Sequence, residues 1–332
     1  MNNKIVPIFY ICDNKYMRYI TVSIKSIIEN CNHDRNYEIH VLHTDITEET
    51  IRRTRLIETE NVKIYFNDVT DKFNAIKEKL FVRDYYNMST YYRFFIADMF
   101  PELDKVIYID GDTVVVDDIA KLYDIDLEGN IIAGAHEQAF VQVDLYGRYI
   151  EEVLGISRYE TINAGVMLID TKAFREEHIL ETFIDMLGEY KFVVTQDEDY
   201  LNVICNGRIK FLDLEWNAQT FMFLDFPVQE ENIHIIHYDM SIKPWYCLEC
   251  RLSNYFWEYA AMTDYYDELK AGLEAYTPEQ REKAYGVLKD INELVISEIE
   301  RPDNYYKMKL AKANKTMLAT KRARKSLNTQ AW

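Results

Sequence analysis

Asp110-Gly111-Asp112 sets two carboxylates one residue apart, with a residue that has no side chain between them, directly behind the apolar run Lys105–Ile109. Such a pair can share a hard divalent cation and, through it, a diphosphate. The run before it predicts a buried strand, and open α/β sheets bind their ligands outside the carboxyl ends of strands. Gly111 relieves the backbone where the chain tightens between the two acids. The same spacing recurs in Asp124-Ile125-Asp126 and Asp197-Glu198-Asp199, and taken alone it describes an ordinary solvated turn. Its meaning depends on five other segments. Cys12-Asp13-Asn14-Lys15-Tyr16 is a turn whose Asp13 and Tyr16 can hold a base and ribose. Thr90-Tyr91-Tyr92-Arg93, Asn163-Ala164-Gly165-Val166 and Gln196-Asp197-Glu198-Asp199-Tyr200-Leu201-Asn202 follow. His237-Tyr238-Asp239-Met240-Ser241-Ile242-Lys243-Pro244-Trp245 then offers a nitrogen ligand with a cation six residues on.

The elements that must position these residues alternate. Residues 5–12 read as a buried strand, and 19–29, with Ile20, Val22, Ile24, Ile27 and Ile28, as a packed helix. A strand at 37–43, a helix opened by Thr47 and running to about residue 60, and a strand at 62–66 complete a βαβαβ unit, parallel with right-handed crossovers. Its strand ends, near Cys12-Asp13-Asn14 and His43-Thr44-Asp45, line one edge. Residues 89–99 form a helix ahead of Pro101. Shorter strands are expected at 113–116, 131–135, 165–169, 209–212 and 233–237, with a helix at 197–205. Beyond Leu252 the pattern is helical, at 255–276, 278–296 and from 302 onward. The reading is therefore α/β, with a mixed, mostly parallel sheet flanked by helices, a first domain at 1–252 and a helical region at 253–332.

The chain has 332 residues, 48% of them hydrophobic, enough for a sizeable core. A net charge of -18 argues against nucleic acid as a partner. From residue 307 onward there are eight Lys and Arg and no acid, so the first 306 residues carry 30 basic against 56 acidic side chains. Five scattered cysteines read as reduced thiols of a cytoplasmic protein, and Cys247-x-x-Cys250 lacks the second pair a zinc site needs. Met1-Asn2-Asn3-Lys4 leads straight into a strand-like run that does not read as a signal peptide. No apolar stretch approaches the roughly 20 residues of a membrane helix.

In their order along the chain the motifs resemble glycosyltransferase family eight, retaining galactosyl- and glucosyltransferases that include bacterial lipooligosaccharide α-galactosyltransferases and, more distantly, glycogenin. The resemblance covers about residues 5–245. It implies a GT-A fold, a UDP-glucose or UDP-galactose donor, Mn²⁺ with Mg²⁺ as substitute, and a hydroxyl acceptor on a bacterial glycan or glycolipid. It matches Asp110, Asp112 and His237 to the metal ligands, a mixed N/O set that suits Mn²⁺ better than an all-oxygen site. Lys243 matches the lysine on the diphosphate, where lysine and metal together stabilise charge on the leaving UDP. Asp13 and Tyr16 match the uridine turn, Gly111 the turn of the metal pair, and Arg93, Asn163, Ala164 and Asp197 the surroundings of the donor sugar.

Three positions depart from that pattern. Glu198 stands where relatives often have Gln, so a covalent glycosyl-enzyme is one reading and front-face return, with the departing phosphate taking the acceptor's proton, the other. Met240 replaces a usual Gly, and Lys15 an Asn. His234, three residues from His237 on a strand, faces the other side and is structural. Asp199 fits the acidic first turn of a helix. Residues 307–325 form a basic amphipathic segment with Tyr306, Leu310, Ala313 and Met317 on one stripe, suited to the inner face of an anionic plasma membrane. Two other function classes remain beside the transferase: a silent nucleotide-sugar-binding protein, and a nucleotidyltransferase, which needs a Gly-rich triphosphate loop that residues 12–16 do not provide. Acceptor, linkage and oligomeric state are open at this level.

Overall fold

The computed structural model describes residues 5–74 and 88–329; the amino-terminal tetrapeptide lies outside them. Seven strands make the main sheet in the order β3-β2-β1-β4-β7-β6-β8. They are β1 Ile5–Ile11, β2 Asn36–His43, β3 Val62–Asp68, β4 Lys105–Ile109, β6 Ile132–Ala135, β7 Val166–Asp170 and β8 Ile209–Leu212. A second sheet, β5-β10-β9, is built from β5 Thr113–Val115, β9 Ala218–Gln219 and β10 Ile235–His237. The pairs β1/β2, β2/β3 and β1/β4 are parallel, as the alternation predicts, and β7 runs antiparallel to both β4 and β6.

The middle of the sheet is covered on both faces, which is why β1, β4, β6 and β7 are buried along nearly their whole length, while the edge strand β3 alternates buried with exposed residues. Phe9, Val106, Tyr108, Met167 and Ile169 belong to one buried cluster. Ile8, Tyr10, Ile107, Ile109, Val166 and Leu168 belong to another. Neighbours along a strand thus point to opposite layers, the period of two that a strand imposes.

The helices differ from expectation at places with local causes. The first spans Met17–Asn30, two residues earlier than read, because Asp13 Oδ1 accepts the Tyr16 amide at 2.8 Å and closes the turn that starts it. Thr47 does cap the second, Glu48–Thr54, but it gives way to a 3₁₀ turn at Arg55–Ile57, where Leu56 is 62% exposed and has no core to face. Residues 88–95 are 3₁₀, and only Ile96–Met99 is α-helical. The helix expected over 255–276 is two, Ser253–Ala260 and Tyr266–Glu274; between them the Thr263 hydroxyl donates to the Ala260 carbonyl and accepts the Tyr265 amide, competing with the helical ladder. Helices at Asp144–Tyr149 and Ile179–Glu189 had no expectation.

The carboxy-terminal helices share the core of the sheet. Pro278–Glu300 starts with a capping box, in which Thr277 and Gln280 exchange side-chain to backbone bonds, and contributes Ile291, Val295 and Ile299 to the cluster holding Phe9. The last helix, Tyr305–Thr329, is anchored by Tyr306, whose ring occupies the place a Cβ on Gly155 would take, 2.2 Å from its Cδ2. Among the described residues no helix is long and apolar enough to cross a membrane.

Candidate functional site

The tripeptide 110–112 is the hinge between the two sheets, leaving β4 and entering β5. The Asp110 amide donates to Gly165 O at 2.7 Å, and the Tyr238 amide donates to Asp112 O at 2.9 Å. Antiparallel pairing of β10 with β5 sets His237 opposite Thr113, so the imidazole arrives beside Asp112. One oxygen of each carboxylate and one ring nitrogen of His237 lie within 4.8 Å of one another. Gly111 is required here by close approach: a Cβ would stand 2.4 Å from Ile20 Cγ1 and 3.1 Å from Tyr16 Cε1, while its φ is not left-handed. The Tyr16 ring therefore leans on the 110–112 turn, with Trp245 at 6.0 Å between centroids. Gly165 is as constrained, since its Cβ would fall 2.3 Å from His237 Cε1.

Charge is concentrated around this hinge. Lys243 donates both to Asp112 Oδ2 and to the Tyr238 carbonyl, and His237 Nε2 stands 3.3 Å from Asp112 Oδ1. Burial alone would raise the Asp112 carboxyl, but Lys243 and His237 hold it well below the usual carboxylate range. Burial alone would lower the His237 imidazole, but Asp112 holds it up to about 9. Asp110 accepts from the Tyr108 hydroxyl and from Arg93 Nη2, the latter at 3.3 Å. Buried Arg93 also pairs with Asp197 at 3.0 Å and donates to Ala164 O at 2.6 Å. The residues fit a divalent cation: two carboxylates and an imidazole nitrogen converge, and the Lys243 ammonium already provides Asp112 with a neutralising positive charge.

The helix Asp197–Ile204 starts from Gln196 in a sparsely populated conformation, φ 55° and ψ -110°, which turns Asp197, Glu198 and Asp199 inward. Asp199 is structural, accepting from Tyr149, the Thr195 hydroxyl and the Thr195 amide. Burial raises Asp197 above its ordinary range, with Arg93 pulling against it. Glu198 accepts the Ala164 amide at 2.8 Å, and burial together with Glu137 pushes it well above the usual range. Asn163 has both ends of its amide engaged: Nδ2 donates to Glu137 at 2.6 Å, and Oδ1 accepts from the Gly165 amide and from Asn217, each at 2.9 Å.

The other sequence-flagged positions separate from this group. His234 pairs with Asp117 at 2.7 Å and packs on Trp216, Lys15 is exposed, and Cys247 and Cys250 belong to no metal-ligating cluster among the described residues. Met240 sits at φ 60°, the left-handed backbone that a glycine takes freely. Tyr108, Glu137, Asn217 and Asp239 were missed. Tyr108 shares a strand face with Asp110, a signal that period two could have supplied. Glu137 lies two residues past β6, at a strand end. Asp239 has both oxygens buried without a partner and is pushed up to about 8 by burial.

The sequence profile of glycosyl transferase family 8 matches residues 7–248. Glycosyltransferase GlyE of Streptococcus pneumoniae is 28% identical over 278 residues, covering 79% of this chain and 62% of GlyE. The apo structure of the bifunctional glycosyltransferase WbbM superposes with a TM-score of 0.72 at 26% identity, over 82% of this chain and 52% of WbbM. The galactosyltransferase LgtC in complex with donor and acceptor sugar analogues gives 0.63 at 22% identity, over 78% of this chain and 96% of LgtC. The neighbours are GT-A-type glycosyltransferases, and the fold of this chain is theirs. The chain spans less than two thirds of GlyE and about half of WbbM.

Two outcomes are expected from this geometry. Gly165→Ala forces the His237 ring aside, so the affinity of the Asp110, Asp112 and His237 cluster for a divalent cation, probed with Mn²⁺ by electron paramagnetic resonance, is expected to fall at least roughly tenfold while the thermal midpoint drops only by the few degrees of a small overpacking. Asp199, raised by burial from 3.8 to about 6, holds its proton more tightly folded than unfolded. Its contribution favours folding fully below about pH 4 and is lost as pH rises through 6. Asp199→Asn therefore gains about 2–3 kcal/mol relative to wild type between pH 4 and pH 7 in urea unfolding.

Proposed function

The chain belongs to glycosyl transferase family 8, and from that premise we propose that it is a retaining hexosyltransferase. It moves glucose or galactose from UDP to a hydroxyl of a bacterial glycan or glycolipid, with Mn²⁺ held by Asp110, Asp112 and His237. Residues 1–252 serve as the catalytic domain. The observation that carries this reading is the convergence of those three side chains with Lys243 beside them, at the carboxyl end of β4.

A bound Mn²⁺ supplies Lewis-acid stabilisation of the diphosphate. The rest is work for the chain. Asp13 and Tyr16, on the turn that abuts Gly111, hold the uridine. Lys243, half-buried between Asp112 and the Tyr238 carbonyl, receives the negative charge that grows on UDP. Arg93 locks Asp110, Asp197 and Ala164 into one wall for the sugar. As the bond from C1 to the phosphate oxygen breaks, the acceptor oxygen bonds to C1 on the same face, and its proton passes to the departing phosphate. Glu198 takes no covalent part in this reading: burial and Glu137 push its carboxyl well above the usual range, toward the neutral form that resembles an amide. The intact ligand set disfavours a silent binding protein.

The test is a donor panel with Mn²⁺, scoring UDP release. UDP-glucose or UDP-galactose turns over, Asp112→Asn falls by at least about 10³-fold, and Glu198→Gln stays within about tenfold of wild type. Turnover only with a non-uridine donor defeats the reading, and a trapped, mass-shifted Glu198 peptide restores the covalent route.

The carboxy-terminal helix supports peripheral membrane contact at a cytoplasmic face. Leu310 and Met317 are 45% and 51% exposed on a helix whose described charged side chains, Lys307 to Lys315, are all basic. Side chains from residue 318 on lie outside the described ones. Removal of residues 318–332 takes away four basic side chains and leaves Tyr305 and Tyr306 in place. Sedimentation with anionic vesicles then falls several-fold, as expected at about 1 kcal/mol for each basic residue near the surface. Equal binding of both forms would remove the tail from this role.

A further inference from the structure

A metal-ligating imidazole must present an unprotonated nitrogen, and which nitrogen that is depends on what holds the other one. His237 Nε2 faces Asp112, and Nδ1 lies 2.9 Å from Asn217 Oδ1. An amide can be turned either way in a hydrogen-bond network, so the polarity of this contact has to be derived from fixed groups.

One such group, the Gly165 amide, stands at the far end of the chain of bonds, and the Glu137 contact agrees with it. The Gly165 amide can only donate, and it meets Asn163 Oδ1 at 2.9 Å; the Glu137 carboxyl oxygen lies 2.6 Å from Asn163 Nδ2 while its other oxygen accepts the Ala139 amide. Asn163 therefore has one orientation. Its Oδ1 also meets Asn217 at 2.9 Å, so Asn217 must turn Nδ2 toward it. Asn217 Oδ1 is then left for His237, and an amide oxygen can only accept. Nδ1 therefore carries a hydrogen in the charged and the neutral ring alike, and Nε2, on the Asp112 side, is the nitrogen that gives up its proton to present a lone pair when a metal binds. Water cannot substitute for any of these contacts, since Glu137, Asn163, Asn217 and His237 are 5%, 7%, 1% and 2% exposed.

We infer that Asn217 is a positioning residue for the metal site, the last link of a Glu137–Asn163–Asn217–His237 relay that fixes the His237 tautomer and ring plane. This rests on the proposed metal-dependent reading of Asp110, Asp112 and His237. It also gives Asn163 a second task, since the side chain matched to the donor-sugar wall is the one whose orientation is dictated from both sides. Asn217 itself ends the 3₁₀ turn Leu214–Asn217, directly before β9, whose Ala218 and Gln219 pair in parallel with Ile236 and His237.

The experiment compares Mn²⁺ affinity, in the presence of UDP, of full-length wild type, Asn217→Ala, His237→Ala and the double variant. Asn217→Ser serves as a milder second substitution, and thermal melts monitor folding. Asn217→Ala is expected to weaken Mn²⁺ binding roughly 10–100-fold with His237 present and less than about twofold in its absence. Long-range ¹H–¹⁵N spectra of the Mg²⁺-loaded wild type are expected to show His237 protonated at Nδ1 alone, and to lose that single state in Asn217→Ala. Equal weakening in both histidine backgrounds, unchanged affinity in a folded Asn217→Ser and Asn217→Ala, or an Nε2-protonated wild type overturns the inference. Failure of the metal reading shows separately, as wild type that does not bind Mn²⁺ at all, and overturns both.

Discussion

Antiparallel pairing at two junctions holds the site together. β7 runs against β4, so the residues that enter β7, Asn163 to Gly165, are delivered to the carboxyl end of β4, where Asp110 sits. A parallel neighbour would have delivered its own carboxyl end instead. β10 runs against β5 in the register His237 to Thr113, which places residue 237 next to residue 112. A slip of one residue in either ladder would turn the whole set of side chains to the opposite face. Both junctions are sealed by glycines that leave no room for a Cβ, against Ile20 and Tyr16 at 111 and against His237 at 165.

That geometry gathers more negative charge than the local cations can balance, and the chain handles the excess in different ways. Asp112 is kept ionised by Lys243 and His237, and Asp110 is held by Tyr108 and Arg93. Glu198 and Glu137 face each other in a buried space where two carboxylates cannot both ionise cheaply, so burial favours their protonated forms. Asp239 has both oxygens buried without a protein hydrogen-bond partner and is driven the same way by burial. Asp112 stays charged where Lys243 and His237 meet it, whereas Glu198 and Glu137, driven toward neutrality, lie against Ala164 and Asn163.

Asp13, the Asp110–Asp112 pair and His237 were legible in the sequence because each sits at the end of a short apolar run, and runs are what periodicity detects. Asp110, Asp112, His237 and Lys243 are found together where their order along the chain implied. The parallel first half of the sheet was equally readable from its alternation. The direction of β7 was not, since a four- or five-residue apolar strand buried on both faces looks the same in either sense. Asn217 and Glu137 were invisible for a different reason: their roles come from hydrogen-bond polarity across residues far apart in the chain, and nothing local in Leu214–Asn217 or around Ala135 marks it. Gly111 was correctly singled out with an incomplete cause, because backbone freedom is a local property and the crowding by Ile20 is not.

The loop that carries Lys243 shows how the carboxy-terminal helices enter the site. Met240 adopts a left-handed backbone that costs an L-residue roughly 1–2 kcal/mol relative to glycine. Its side chain packs against the main core, which offsets part of that cost in a way glycine could not. The loop is also tied outward: Ser241 Oγ donates to Ala284 O at 2.6 Å, Tyr238 Oη to Leu252 O at 2.6 Å, and Trp257 Nε1 to Pro244 O at 3.2 Å. Ala284 and Trp257 both lie beyond residue 248, where the match to the family profile ends. A glycine at 240 would leave this segment free to choose its path; with Met240, the path is set by helices of the carboxy-terminal region. The position of Lys243 is thus determined jointly by Asp112 on the 110–112 turn and by helices that lie beyond residue 248.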